Sequence, residues 1–176
     1  MYLSGGALPQ TQLYDIPSGI PGTRTTLKVM ARLVREASMD QIIRTKAEDL
    51  VGDLPGQSFT DQVRCCFGYV RDNVRYLQDC NGVEQIHTPV VMLQKMKGDC
   101  DDMVTLLAAL LESIGHPCRF VAVGYTNPSE CEHVYLETRV GNDWIPLDPT
   151  QPVNIGWAPI PPWTSDRVMV LIREYV

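Results

Sequence analysis

The stretch GDCDDMV, residues 98–104, sets Cys100 among three carboxylic acids, Asp99, Asp101 and Asp102. A cysteine in this position has three chemical uses: nucleophile, metal ligand or small core residue. The apolar residues Met103, Leu106, Leu107, Leu110, Leu111 and Ile114 recur at helical spacing and predict a helix over 100–114, stopped by Gly115. Cys100 then lies in the first turn, three residues before Met103 and so on the buried side. Unpaired N–H groups and the helix dipole favour an anion there, which lowers a thiol pKa. Asp99 suits the N-cap. Asp101 and Asp102 suit the first turn and are expected to point round the helix away from the thiol. A capped helix with an inert buried cysteine fits the same seven residues.

A thiol nucleophile needs an imidazole to take its proton and a third group to orient that imidazole. The chain has three histidines, His87, His116 and His133. His116 follows Gly115, beyond the far end of a helix roughly 22 Å long. His87 falls in a loop that nothing in the sequence places. His133 opens HVYLETRV (133–140), which alternates as a strand. Gly141-Asn142 then reads as a two-residue hairpin turn into DWIPLD (143–148). With that loop, paired positions sum to 283, so His133 faces Thr150 and Asp148 faces Tyr135. Asp148 becomes a diagonal neighbour of His133 on one face of the sheet, within side-chain reach. A one-residue slip would send it to the other face. Taken singly, His133 also fits an ordinary strand-end histidine, and Asp148 a turn residue before Pro149.

The elements that must position these residues divide into helices first and strands second, the pattern of an α+β domain. Residues 1–24, with Gly5, Gly6, Pro9, Pro17, Gly19, Pro21 and Gly22, read as an irregular arm, and 25–176 as a single domain. Helices are expected at 25–36, at 39–51 behind a Ser38/Gln41 capping box, at 60–76 and at 89–96. Strands are expected at 118–125, 133–140, 143–148 and 167–172. A Pro/Trp-rich segment, 149–163, holds Trp157 and Trp163 and is expected either to wall the site or to dock on a partner, with at least one tryptophan against the cleft. Cys66 follows the apolar spacing of the third helix and is expected in the core, as is Cys118.

Composition removes several classes. A net charge of −6 with no basic run argues against nucleic-acid binding. The longest apolar window is too short to span a bilayer, and MYLSGGALPQ has no signal-peptide character. A cytoplasmic protein with reduced thiols is expected. Without a CxxC pair, and with the spacing CEH at 131–133, a metal site built from Cys100, Cys131 and His133 fits poorly. No cofactor or metal is implied.

The segments GDCDDMVTLLAALLESIGHPCRFVAVGY (98–125), EHVYLE (132–137) and WIPLDPT (144–150) resemble the transglutaminase-like superfamily of papain-like thiol enzymes. YVRDNVRYLQD (69–79) and HTPVVMLQKMKGDC (87–100) are similar to that family's lead-in. The resemblance covers about 60–150, and the flanks look like the short subtype carried by phages and prophages. It implies a core in which N-terminal helices precede an antiparallel sheet packed on the nucleophile helix. It also implies Cys100 as nucleophile, His133 as general base and Asp148 as orienting carboxylate. The oxyanion stabiliser has no clear match. The Cys100 N–H is one expected donor, and Gln94 and Tyr76 are the side-chain candidates. Two functions follow. One is amide-directed acyl transfer on a protein or peptide, as peptidase, amidase or transglutaminase. The other is an assembly component that keeps the fold, with phage structural proteins or a second copy as partner, carried in a virion.

Overall fold

The computed structural model describes residues 11–54, 58–79, 85–126, 129–159 and 167–174. Helix α1 (Gly19–Ala37) begins within the segment read as an irregular arm. Pro21 falls in its first turn, where a missing N–H costs no intrahelical bond, so proline does not exclude helix there. Its buried Leu27, Met30, Ala31 and Val34 are the face the spacing predicts. Helix α2 (Gln41–Val51) is capped by Asp40, whose carboxylate accepts the Ile42 N–H at 2.8 Å. Ser38, the expected cap, instead closes α1, its hydroxyl donating to the Arg35 carbonyl.

Helix α3 (Phe59–Asn73) is capped by Ser58 and ends three residues earlier than its apolar spacing suggests. Arg75 and Tyr76 leave it to form β1 (Arg75–Tyr76). This strand pairs in parallel with β2 (Lys97–Gly98), which follows α4 (Pro89–Lys95). Thr88 caps α4, Pro89 occupies its first turn, and Met96 closes it in the left-handed conformation, φ 49°. Gly98 therefore does not end that helix. It lies where an added Cβ would collide with the Asp102 carboxylate.

Helix α5 (Cys100–Ser113) is the centre of the fold. The sequence suggests an amphipathic helix with one apolar stripe, yet every residue from Asp101 to Glu112 is buried. Helices α1 to α4 pack around part of it, and the sheet covers the rest. The buried acids of α5 carry bonds. Glu112, for example, accepts the Cys118 N–H and pairs with Arg173.

The sheet holds β3 (Cys118–Val123), β4 (His133–Val140), β5 (Asp143–Leu147) and β6 (Val168–Leu171) in the order β5-β4-β3-β6, antiparallel throughout. The β4–β5 register runs from Val140 opposite Asp143 to Leu136 opposite Leu147. Gly141, at φ 63°, takes the left-handed turn that a two-residue hairpin demands. One sheet face buries Phe120, Ala122, Val134 and Leu136 in the common core with α5. On the other, Val121, Val123 and Tyr135 form a smaller cluster capped by Ala158. No helix among the described residues is long and apolar enough to cross a membrane.

Candidate active site

The hairpin register brings Asp148 diagonally behind His133, and the side chains meet, Nε2 to Oδ2 at 2.8 Å. Asp148 is 1% exposed. Its other oxygen accepts the Thr150 N–H at 3.1 Å and the Thr150 hydroxyl at 2.6 Å. The carboxylate is therefore fixed before it touches the ring. With Nε2 engaged, the second ring nitrogen, Nδ1, is the one left to exchange a proton. His133 and Cys100 line one cleft of about 590 Å³, together with Tyr76, Asp99, Asp101 and Val134. Cys100 reaches it from the start of α5, and its sulfur accepts the Val134 N–H from the strand that carries His133.

The thiol is not activated by its place on the helix. Burial pushes its pKa up, the neighbouring Asp101 and Asp99 push in the same direction, and the Val134 N–H only partly offsets them. Two expectations fail here, for one reason each. Asp101 does not point away: its Oδ1 lies 3.6 Å from the Cys100 sulfur and accepts its proton. The helix N-terminus has few donors to spare for the sulfur: the Asp99 carboxylate takes the Asp101 and Asp102 N–H groups, and its carbonyl takes that of Met103, which leaves the Cys100 N–H. Cys100 therefore rests as a neutral thiol.

Of the two side chains considered for the oxyanion, Tyr76 lines the cleft and Gln94 does not; it is exposed on α4, whose buried residues face α5. Burial, then the charges of Cys100, Asp99, Asp101 and Asp148, push the Tyr76 hydroxyl up, so it stays protonated and able to donate. Among the described residues no three His, Cys, Asp or Glu side chains gather as metal ligands, so Cys100, Cys131 and His133 form no such set. Trp157 is 42% exposed and does not line the cleft, and Trp163 lies outside the described residues. The segment after Asp148 instead walls a second hollow of about 550 Å³ with Pro149, Thr150, Gln151 and Pro152. Cys66 and Cys118 are fully buried, and burial pushes the Cys66 thiol up to about 12.

The chain also carries a residue that sequence reasoning passed over. The Tyr125 ring lies tilted over His133, centroids 6.4 Å apart. Glu132 holds it there by accepting the N–H groups of Tyr125 and Thr126 and the Thr126 hydroxyl. The signal was the β3–β4 register, which sets Val123 opposite His133. The long connection between those strands has no tight-turn signature from which to read it.

The sequence pattern of the transglutaminase-like superfamily matches residues 44–149, more than half of the chain. The chain belongs to the transglutaminase-like superfamily. Among solved structures it is similar to a provisionally assigned protease from Parabacteroides distasonis. That match has 14% identity and a TM-score of 0.61, over 85% of this chain and 29% of that one. It is similar also to a provisionally assigned cysteine protease from Cytophaga hutchinsonii, at 16% identity and a TM-score of 0.52, over 73% of this chain and 45% of that one. At these identities the likeness is one of fold, and this superfamily member spans less than half the length of either. No protein of curated function matches it in sequence.

Proposed function

We propose that this superfamily member is a thiol acyl-transfer enzyme acting on amide bonds, a peptidase or amidase. The observation that carries the reading is the His133–Asp148 pair, 2.8 Å apart, whose imidazole lines the same cleft as Cys100. In the first step the Cys100 sulfur attacks the amide carbonyl carbon while its proton passes to His133 Nδ1. The C–N bond then breaks, His133 returns that proton to the departing amine nitrogen, and the acyl group stays on sulfur as a thioester. Water attacks the thioester, His133 relays its proton to sulfur, and a carboxylic acid leaves. The Cys100 N–H, which Asp99 does not take, and the Tyr76 hydroxyl are the donors for the carbonyl oxygen. An amine in place of water gives transamidation. Hydrolysis is favoured because the cleft is lined by polar groups, among them Tyr76, Asp99 and Asp101, and opens to water.

p-Nitrophenyl acetate tests this. Acetylation of Cys100, read by mass spectrometry of the trapped protein and lost in Cys100→Ser, is the expected result. Partition of the acetyl group between water and added glycinamide then separates hydrolysis from transamidation. Acetylation confined to other residues contradicts the proposal. A second reading, an assembly component that keeps the fold, draws support from the acids that hold Cys100 as a thiol. It predicts no acetylation of Cys100.

A further inference from the structure

Strand β1 has an unused edge beside the nucleophile. Its ladder to β2 is made by Arg75, whose N–H donates to the Met96 carbonyl at 2.9 Å, and by Leu77, whose N–H donates to the Gly98 carbonyl at 2.8 Å. Alternate residues of a strand turn their backbone groups to opposite edges. Tyr76, between the two, therefore turns its N–H and C=O away from β2. Sheet β1-β2 has only these two strands, so among the described residues no strand lies on that side. Open edges of this kind are templates for pairing with another chain.

The position of the edge gives it meaning. Tyr76 lines both the cleft of Cys100 and His133 and the second hollow of about 550 Å³ bounded by Arg71 and Pro149–Pro152. One residue thus stands at the junction of two hollows, with the β2–α5 turn leading straight to Cys100. The Tyr76 and Leu77 side chains are each 49% exposed beside it. An occupant must present a carbonyl and an N–H at strand spacing and continue into hollows on either side. An extended polypeptide does both; a small amide fills only one hollow and leaves the edge unpaired.

We propose that the Tyr76 backbone is the docking edge for an extended peptide substrate, which adds as a strand to β1 and runs from the cleft of Cys100 into the second hollow. This rests on the thiol-enzyme reading and names its substrate class. Main-chain pairing supplies affinity in such complexes, and pockets on alternate sides supply selectivity. The Tyr76 N–H makes no bond to β2, so Tyr76→Pro removes the docking donor without breaking the β1–β2 ladder.

The test is the alkylation rate of Cys100 by iodoacetamide against that by iodoacetyl-Gly-Ala-Val-Ala amide, with labelling mapped by mass spectrometry. In the unaltered protein the peptide reagent should label Cys100 at least about tenfold faster, the factor expected for one net hydrogen bond of about 1.4 kcal/mol. Tyr76→Pro should remove that advantage, and Tyr76→Phe, which restores ring and N–H, should recover it. N-methylating the reagent amides should abolish it in the unaltered protein, a result independent of how Tyr76→Pro folds. Equal rates for the two reagents, with Cys100 still labelled by iodoacetamide, overturn the docking edge and leave the thiol reading standing. No labelling of Cys100 by either reagent overturns both. An advantage that survives N-methylation or Tyr76→Pro also overturns the docking edge.

Discussion

The described residues include two histidine–aspartate pairs of the same length, and one of them, His133–Asp148, has its imidazole in the cleft of Cys100. His133 Nε2 meets Asp148 at 2.8 Å, and His87 Nδ1 meets Asp102 at 2.8 Å. Both carboxylates are buried, at 1% and 0% exposure. The difference lies at the second ring nitrogen. That of His133 remains for proton exchange in the cleft with Cys100. That of His87 is already engaged, with Lys95 Nζ 2.6 Å away. Asp102 further accepts the His87 N–H at 2.8 Å. His87–Asp102 is therefore a strut tying the 85–88 loop to the first turn of α5, whereas His133–Asp148 is the pair to which the proposed mechanism assigns proton transfer. Proximity of imidazole and carboxylate does not by itself make a catalytic unit; the proposed mechanism also needs a second ring nitrogen left unoccupied in the cleft of the thiol.

This contrast yields ordered predictions. His133→Ala should have the largest effect, lowering the rate of Cys100 acylation by p-nitrophenyl acetate by roughly 10²–10⁴, the range of general acid–base catalysis. His87→Ala should leave that rate within about threefold. It should cost about 1–3 kcal/mol of stability, because the buried Asp102 side chain loses its ring partner. A fall of several degrees in melting temperature would register it.

Asp101→Asn should produce the smallest change, and in the opposite direction. Burial and Asp101 both raise the Cys100 thiol, so the thiolate population grows only above the ordinary thiol range. Iodoacetamide labelling of the unaltered protein should accordingly keep rising through pH 9 instead of levelling near neutrality. Removing one negative charge 3.6 Å from sulfur lowers the thiol pKa. For a shift of about one unit, the tenfold gain in thiolate is halved on a logarithmic scale by weaker nucleophilicity. Labelling at pH 7 should rise about threefold. A slower reaction would show that Asp101 activates the thiol.

Much of this arrangement could be read from the sequence because it depends on local chemistry. Gly141-Asn142 fixes the hairpin, and the period of two then carries Asp148 to His133 without tertiary information. The apolar repeat of α5 likewise sets Cys100 at a helix start. What could not be read are the directions of short side chains and the contacts between distant segments. Asp101 and Asp102 are neighbours of the same type, yet one turns to the Cys100 sulfur and the other to His87, a choice made by packing against Gly98 and the 85–88 loop. Strand β1 was read as the end of α3 because Val74 continues the helical spacing. Its pairing with β2 is a long-range contact that overrides that local pattern. Asp40 displaced Ser38 as a cap by the same kind of competition, since Ser38 is drawn to Arg35 and Arg173.

The central claim, that only one of the two pairs orients a catalytic base, is tested most directly by comparing Asp148→Asn with Asp102→Asn. The measurement is the single-turnover rate of Cys100 acylation by p-nitrophenyl acetate at pH 7. An equivalent substitution in a serine triad cost about 10⁴ in turnover. Because Cys100 here starts as a thiol and needs His133 to take its proton, Asp148→Asn should lower the rate by about 10²–10⁴. Asp102→Asn should change it by no more than about threefold while lowering the melting temperature. Equal rates in the two variants, or a larger loss in Asp102→Asn, would contradict the account.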